Sequence, residues 1–267
     1  MTACVHSSRA DGAGTSADSL PRRELLLLGA AVALGAPATD ALAQVRGNIV
    51  ALSGEVLRNG ARLGPGDTIV TGDRLQTAPG ADLVFVLGGD AFRLRESSVL
   101  TVERGSTLNA VGLLRLTTGA LAAVWGRGER RSLVTPTVTA GIRGTGIYAE
   151  VDRVPEGPRT YFCTCFGTVD LDAGGDRLTS RADYHQGFWA RSLPAPGTTG
   201  QRLMPTVPLN HTDDEMEMLA RLVGQRTPWE TAGRRGDRDG MGTLDPAPAG
   251  MVHPASRPRR GAGSGGE

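Results

Sequence analysis

From Gly47 onward, the sequence consists of short runs of alternating apolar and polar residues that are separated by glycine-containing turns. Residues 91–95 alternate apolar and charged side chains, as a half-exposed strand does. Asn59-Gly60 is a strong signal for a two-residue hairpin turn. Glycine is abundant and aromatic residues are only 4% of the chain, which favours a turn-rich β structure over a helical bundle. The sequence therefore predicts a mostly β domain, and the strand spacing fits either a β-solenoid or a sandwich.

Residues 1–43 are predicted to be a signal peptide. Arg22 and Arg23 precede an apolar stretch over residues 25–34, and Ala41-Leu42-Ala43 supplies small residues where a signal peptidase cuts. The paired arginines suit twin-arginine translocation, and the Sec route is the alternative. The apolar stretch is shorter than the about 20 residues of a membrane-spanning helix. We expect a mature chain that begins at Gln44 and is periplasmic, without a membrane span.

One α-helix is predicted near the C-terminus, at about residues 213–223. Thr212 is a suitable N-cap, Glu215 would complete a capping box, and Gly224 can end the helix. An apolar stripe at helical spacing predicts that this helix packs on the β domain: Met216, Leu219, Leu222 and Val223.

The predicted organisation follows from these signals. A β domain at 44–180 is followed by a C-terminal extension at 181–231 that contains the helix. Apolar residues become rare after Trp229, so residues 232–267 are predicted to be a disordered tail.

The most distinctive segment runs from Val134 to Tyr148 and reads VTPTVTAGIRGTGIY. Together with the preceding Gly-Asp turns and the strand series up to Leu171, it resembles the FecR domain, which is named for a periplasmic regulator of iron-dicitrate uptake. The resemblance covers residues 47–175. It implies a FecR-type β fold and a sensory, binding or scaffold role in signalling at the bacterial envelope. The core of the motif is Thr135, Pro136, Arg143, Gly144 and Thr145.

The motif residues also have a structural explanation, which we prefer to ligand contact. Pro136 lacks a donor and suits the start of a strand, and Gly144 permits a bend. Arg143, between two glycines, suits the turn of a coil, and Thr145 can bond locally to hold that bend. Family regulators carry an anti-sigma region and a membrane span before this domain. The resemblance here implies an exported form that lacks both regions, so sigma-factor control is not carried over.

Cys163 and Cys165 occupy positions i and i+2 of a predicted strand, so both sulfurs should face one side. Three interpretations are open. The cysteines could form a disulfide, which would be strained unless a bulge brings them together. They could bind a soft metal such as zinc together with His185 and His211. They could also pack as buried thiols.

The chain carries no G-x-S-x-G, H-E-x-x-H or Rossmann glycine motif, and it contains no lysine, which excludes a Schiff-base or P-loop lysine. A net charge of +1 gives no reason to expect a nucleic-acid partner. We expect a non-catalytic module without a cofactor that binds an envelope protein, a polymer or a small ligand. The alternative is a metal- or redox-sensing protein built on Cys163 and Cys165, and a periplasmic hydrolase is less favoured.

Overall fold

The computed structural model describes residues 47–105, 111–128, 130–236 and 244–245. The signal peptide predicted at 1–43 lies outside these residues, and so does most of the tail predicted from residue 232. Within the tail, Arg235–Gly236 pairs with Leu244–Asp245.

Fourteen strands in the described residues form one sheet. They are β1 (Ile49–Ser53), β2 (Val56–Arg58), β3 (Ala61–Arg62), β4 (Arg74–Thr77), β5 (Asp82–Leu87), β6 (Asp90–Leu94), β7 (Val99–Arg104), β8 (Val111–Val124), β9 (Arg131–Val134), β10 (Thr139–Val154), β11 (Gly157–Ala173), β12 (Asp176–Ala182), β13 (Gln186–Arg191) and β14 (Leu203–Thr206). The turn predicted at Asn59-Gly60 connects β2 to β3, and both of its residues have positive φ, at 54° and 86°. Such angles are what a two-residue hairpin turn requires.

Three long strands change partners along their length. β8 pairs first with β7 and then with β6, β10 pairs first with β9 and then with β8, and β11 pairs first with β13 and then with β12. The sheet is therefore open and sandwich-like. Every described pairing is antiparallel except that of β8 with β9. This pattern favours the sandwich over the solenoid, because a solenoid stacks parallel strands from successive coils.

The predicted division at residue 180 falls inside this sheet. β12 crosses residue 180, and β13 and β14 then extend the sheet beyond β11. The C-terminal extension therefore contributes strands to the β domain as well as helices.

Two helices follow the last strand: α1 (Asp213–Leu222) and α2 (Pro228–Thr231). Thr212 caps α1 by accepting a hydrogen bond from the backbone N–H of Glu215. The prediction that Glu215 closes a capping box is wrong, because its carboxylate accepts hydrogen bonds from Arg93 and Arg95 instead. Gly224, at φ 68°, ends α1 as predicted, with the N–H of Gln225 bonded to the carbonyl of Ala220.

Two apolar clusters hold these layers together. The larger cluster lies inside the sandwich and includes Leu83, Phe85, Phe92, Leu94, Leu121, Trp125 and Phe162. The second lies between the opposite face of the sheet and the helices, and it includes Val84, Ala91, Ala122, Val124, Tyr148, Tyr161, Met216, Leu219, Ala220 and Trp229. The predicted apolar stripe of α1 thus packs on the sheet, and the second cluster also contains Cys163 and Cys165.

Candidate metal centre

Four side chains converge beneath α1: Cys163, Cys165, His185 and His211. One nitrogen or sulfur atom from each lies within 4.8 Å of all the others. Both cysteines are fully buried, and His211 is 2% exposed. These are the four residues that the sequence nominated as metal ligands, and the fold brings them together from three separate segments. We call this group the Cys2His2 cluster.

Cys165 is the extra residue of a β-bulge in β11, and Cys163 lies just before the bulge. Thr164 pairs with Ile147 of β10, and Phe166 pairs with the adjacent Gly146, so Cys165 has no partner on β10. Cys163 keeps regular pairing with Tyr148 and with Gly187 of β13. The bulge leaves both sulfurs on the face of the sheet that α1 covers.

The two histidines come from segments that cross over this face. His185 lies just before β13, and its backbone N–H donates to the carbonyl of Cys165 at 3.0 Å. His211 lies between β14 and the N-cap of α1, where its ring stacks on Tyr148 with centroids 4.7 Å apart. The cluster therefore connects the centre of the sheet to a turn and to the start of a helix.

Three distances inside the cluster are close to those between atoms that bind one ion. His185 Nδ1 lies 3.0 Å from His211 Nε2 and 3.5 Å from Cys163 Sγ, and His211 Nε2 lies 3.4 Å from Cys165 Sγ. Zinc–nitrogen and zinc–sulfur bonds of about 2.0 and about 2.3 Å in a tetrahedron place nitrogen pairs about 3.3 Å apart and nitrogen–sulfur pairs about 3.6 Å apart. The observed spacings need only small adjustments to reach these values.

The second nitrogen of each imidazole has its own acceptor. His185 Nε2 lies 2.5 Å from the Asp213 carboxylate, and His211 Nδ1 lies 2.7 Å from the carbonyl of Leu209. Tyr184 donates to the other oxygen of Asp213 at 2.7 Å. Metal-binding histidines characteristically donate their remote N–H to a carboxylate or a carbonyl, which fixes the tautomer and the ring orientation. The sequence analysis did not identify Asp213 as a partner of His185; its position two residues after the candidate ligand His211 was the available signal.

Protonation within the cluster is strongly perturbed. Burial alone would lower the pKa of His185, but its hydrogen bonds to Asp213 and Cys163 raise the pKa to about 9. Burial opposes ionisation of the Cys163 thiol, yet the hydrogen bond from Cys165 and the charge of His211 hold its pKa well below the usual value. Burial and the neighbouring Cys163 raise the pKa of Cys165. The site thus favours a thiolate beside a cation.

A nucleophilic role for the cysteine is the chemical alternative. Cys163, His185 and Asp213 form a hydrogen-bonded series of the kind that activates a thiol for attack. However, Cys163 is 0% exposed, whereas reactive cysteines lie in partially exposed surroundings. The enclosure favours a bound ion over a substrate.

The predicted motif core lies elsewhere and makes contacts within the domain. Thr135 lies in the turn between β9 and β10, where its hydroxyl donates to the carbonyl of Val138, and Pro136 is in the same turn. The strand starts later, at Thr139, so the prediction that Pro136 begins it is wrong.

The rest of the motif lies on β10 itself. Arg143 is inside the strand, not in a turn, and forms an exposed ion pair with Asp170 at 2.7 Å. Gly144 has φ 57° at an irregularity of the pairing. The Thr145 side chain is buried and its hydroxyl has no hydrogen-bond partner among the described residues, so the prediction that it bonds locally is wrong. Among the five motif residues, these contacts support the structural explanation.

Aromatic residues close the cluster from the side of α2. Trp229 on α2 packs edge-to-face against Tyr184 and Phe166 and at a tilt against His185, with centroids 5.3 to 5.9 Å apart. Its indole N–H donates to Glu217 of α1 at 2.8 Å. Outside this cover is a surface pocket of 590 Å³ whose wall includes His185 and Trp229. α2 was missed by the sequence analysis, although Thr227-Pro228 followed by Glu230 is a recognisable capping box.

Comparisons with known proteins give partial likenesses only. No protein-family model and no curated protein matches the chain. Two crystal structures described as a "putative anti-sigma factor" from Parabacteroides distasonis are similar, both with a TM-score of 0.41. One is 12% identical over 52% of this chain and 60% of that chain, and the other is 14% identical over 57% and 65%. The chain thus spans less than two thirds of the length of these structures.

Proposed function

We propose that the chain is a non-catalytic module that binds one zinc ion through Cys163, Cys165, His185 and His211. The observation that carries the proposal is the convergence of four donor atoms within 4.8 Å, together with a separate acceptor for the remote nitrogen of each histidine.

The facing nitrogens call for a cation. A proton on His211 Nδ1 is needed to donate to Leu209, which leaves a lone pair on Nε2. Once His185 loses its second proton, as metal binding requires, donation from Nε2 to Asp213 likewise leaves a lone pair on Nδ1. These lone pairs face each other at 3.0 Å. A shared proton would satisfy the two nitrogens only, whereas a tetrahedral ion satisfies both nitrogens and both sulfurs.

The donor set selects the metal. Two thiolates and two imidazoles in a tetrahedron are a common structural zinc site. All four positions are filled by the protein, while catalytic zinc keeps one position for water or substrate. The proposed role is therefore structural or regulatory, in agreement with a module that has no enzymatic activity.

Zinc would fasten the C-terminal extension to the sheet. Cys163 and Cys165 belong to β11, His185 to the turn before β13, and His211 to the segment that leads into α1. One ion would thereby hold three segments whose distances along the chain are large. Because an unfolded chain has no preformed site, the free energy of binding zinc adds to the stability of this arrangement.

We further propose an exported, periplasmic location, supported by the signal-like sequence before Gln44. The partner is an envelope protein, a polymer or a small ligand that binds strand edges and loops. No helix among the described residues is long and apolar enough to cross a membrane.

The test is metal content. The chain purified without chelators should hold one zinc per molecule by native mass spectrometry, and cobalt substituted for zinc should give the absorption of tetrahedral thiolate coordination. Cys165→Ser should lose the ion, while His253→Asn, which changes a histidine outside the cluster, should keep it. A chain that binds neither zinc nor cobalt at equimolar concentration would refute the proposal.

A further inference from the structure

The spacing of the two thiols has a second chemical consequence. Residues i and i+2 of an extended strand have Cα atoms about 6.6 Å apart, near the upper limit for a disulfide. Cys165 is the extra residue of the bulge, so the strand between Cys163 and Cys165 is not regularly extended. Their sulfurs already lie within 4.8 Å of each other.

We propose that hydrogen peroxide oxidises Cys163 and Cys165 to an intramolecular disulfide and thereby releases the zinc. This inference rests on the proposed function and adds its regulation. It makes the disulfide and the metal site two states of one cluster.

The reaction balances with peroxide as the oxidant. One thiolate attacks a peroxide oxygen, the O–O bond breaks, and a sulfenic acid and hydroxide form. The second thiolate attacks the sulfenic sulfur, the S–S bond forms, and the S–O bond breaks as hydroxide leaves. The two thiolates lose two electrons, and peroxide with two protons becomes two waters. Zinc stays divalent and keeps only the two histidine nitrogens.

Access and reversibility both follow from the surroundings. The surface pocket has His185 and Trp229 in its wall, and because both thiols are fully buried, peroxide would reach them when this cover opens locally. A bridge that spans only one intervening residue keeps some strain even at a bulge, and strained disulfides are the easily reduced ones. A small dithiol should therefore restore both thiols and zinc binding.

Loss of the ion would weaken the attachment of α1 to the sheet. His211 lies two residues before the helix, and Asp213 in its first turn holds His185. Zinc release would free the segment that carries His211, so the docking of α1 on the sheet should weaken.

The experiment uses the full chain with Cys4→Ser, which leaves only the two cysteines of the cluster. The zinc-loaded protein is titrated with hydrogen peroxide, and a chromogenic chelator reports free zinc while denatured mass spectrometry reports the thiols. We expect one zinc released per chain, a mass loss of about 2 daltons, and recovery of both after dithiothreitol and added zinc.

Three results would contradict the inference. Zinc retained with an unchanged mass shows that the cluster resists oxidation, while the proposed function stands. Zinc released with added oxygen atoms and no bridge shows that the two thiols do not pair. A chain that holds no zinc before peroxide is added refutes the proposed function and the release step together, and its mass still reports whether the disulfide forms. Cys165→Ser in the same background is the control for the mass change, since it cannot form the bridge.

Discussion

Asp213 begins α1 and also holds His185, with its carboxylate 2.5 Å from Nε2. A single side chain thus links the first turn of a helix to the proposed metal ligands. The carboxylate is buried, and Tyr184 donates to its second oxygen. This contact makes the position of α1 and the orientation of the imidazole depend on each other.

Asp213→Asn should weaken zinc binding without removing a ligand. The amide accepts a weaker hydrogen bond from His185, and loss of such an outer contact lowers metal affinity about 10- to 100-fold. Competition with a chelator of known affinity measures the change. Asp214→Asn is the matched control, because Asp214 is exposed and lies in the same first turn of α1. Equal effects of the two variants would show that only the charge near the helix end matters.

His211→Asn should remove one ligand and abolish stoichiometric zinc binding. The variant should also lose the contribution of zinc to the free energy of unfolding, which is about 4 kcal/mol when the free zinc concentration is a thousand times the dissociation constant. Urea unfolding with and without zinc measures this difference. His253→Asn makes the same change outside the cluster and should keep the full zinc effect. A His211→Asn chain stabilised by zinc as much as the parent would remove His211 from the ligand set.

Glu215→Ala should destabilise the domain. The Glu215 side chain is 2% exposed and accepts hydrogen bonds from Arg93 at 3.3 Å and Arg95 at 2.5 Å. Hydrogen bonds to charged groups stabilise a protein most when they are buried, and the partial exposure of both arginines reduces their contribution. We therefore expect the free energy of unfolding to fall by about 2 kcal/mol. Glu103→Ala breaks an exposed ion pair with Arg115 and should change the free energy of unfolding by less than about 0.5 kcal/mol. Similar losses of stability for both variants would show that the burial of Glu215 does not strengthen its ion pairs.

Gly167→Ala should test the packing role of Thr145. Gly167 has φ 93°, and an added Cβ would lie 2.4 Å from Thr145 Cγ2 and 3.1 Å from the carbonyl oxygen of Gly144. The clash and the strained backbone should cost about 2 kcal/mol or more. Gly141→Ala on β10 meets nothing closer than 3.8 Å and should be neutral or stabilising by up to about 1 kcal/mol. Thermal unfolding of both variants measures the two effects. A Gly167→Ala variant as stable as the parent would show that Thr145 can move away from the added Cβ.

Local signals predicted much of this molecule. The Asn59-Gly60 turn, the cap at Thr212 and the apolar stripe of α1 depend on neighbouring residues, and all three are present in the structure. The four residues of the Cys2His2 cluster were also nominated together, because cysteine and histidine are the donor types that soft metals select. Whether they bind zinc stays a prediction.

The remaining features depend on contacts between distant parts of the chain. The exchange of partners along β8, β10 and β11 follows from how the sheet folds over, and no short sequence window shows it. The Glu215 carboxylate does not close the predicted capping box because Arg93 and Arg95, more than a hundred residues earlier, lie beside it and donate to it. Pro136 and Arg143 were placed wrongly because a proline suits turns as well as strand starts, and because glycine neighbours do not by themselves interrupt a paired strand.

The bulge at Cys165 also shifts the phase of side-chain alternation in β11. Before it, the even-numbered Phe162 points into the sandwich, and after it the odd-numbered Val169, Leu171 and Ala173 do. Without the inserted residue, the second half of the strand would turn its apolar side chains toward solvent and its polar ones inward. The position of Cys165 is therefore tied to the correct facing of seven downstream residues that pair with β12. Deletion of Cys165 would therefore disrupt the pairing of β11 with β12, whereas Cys165→Ser would keep that pairing and remove only the proposed metal ligand.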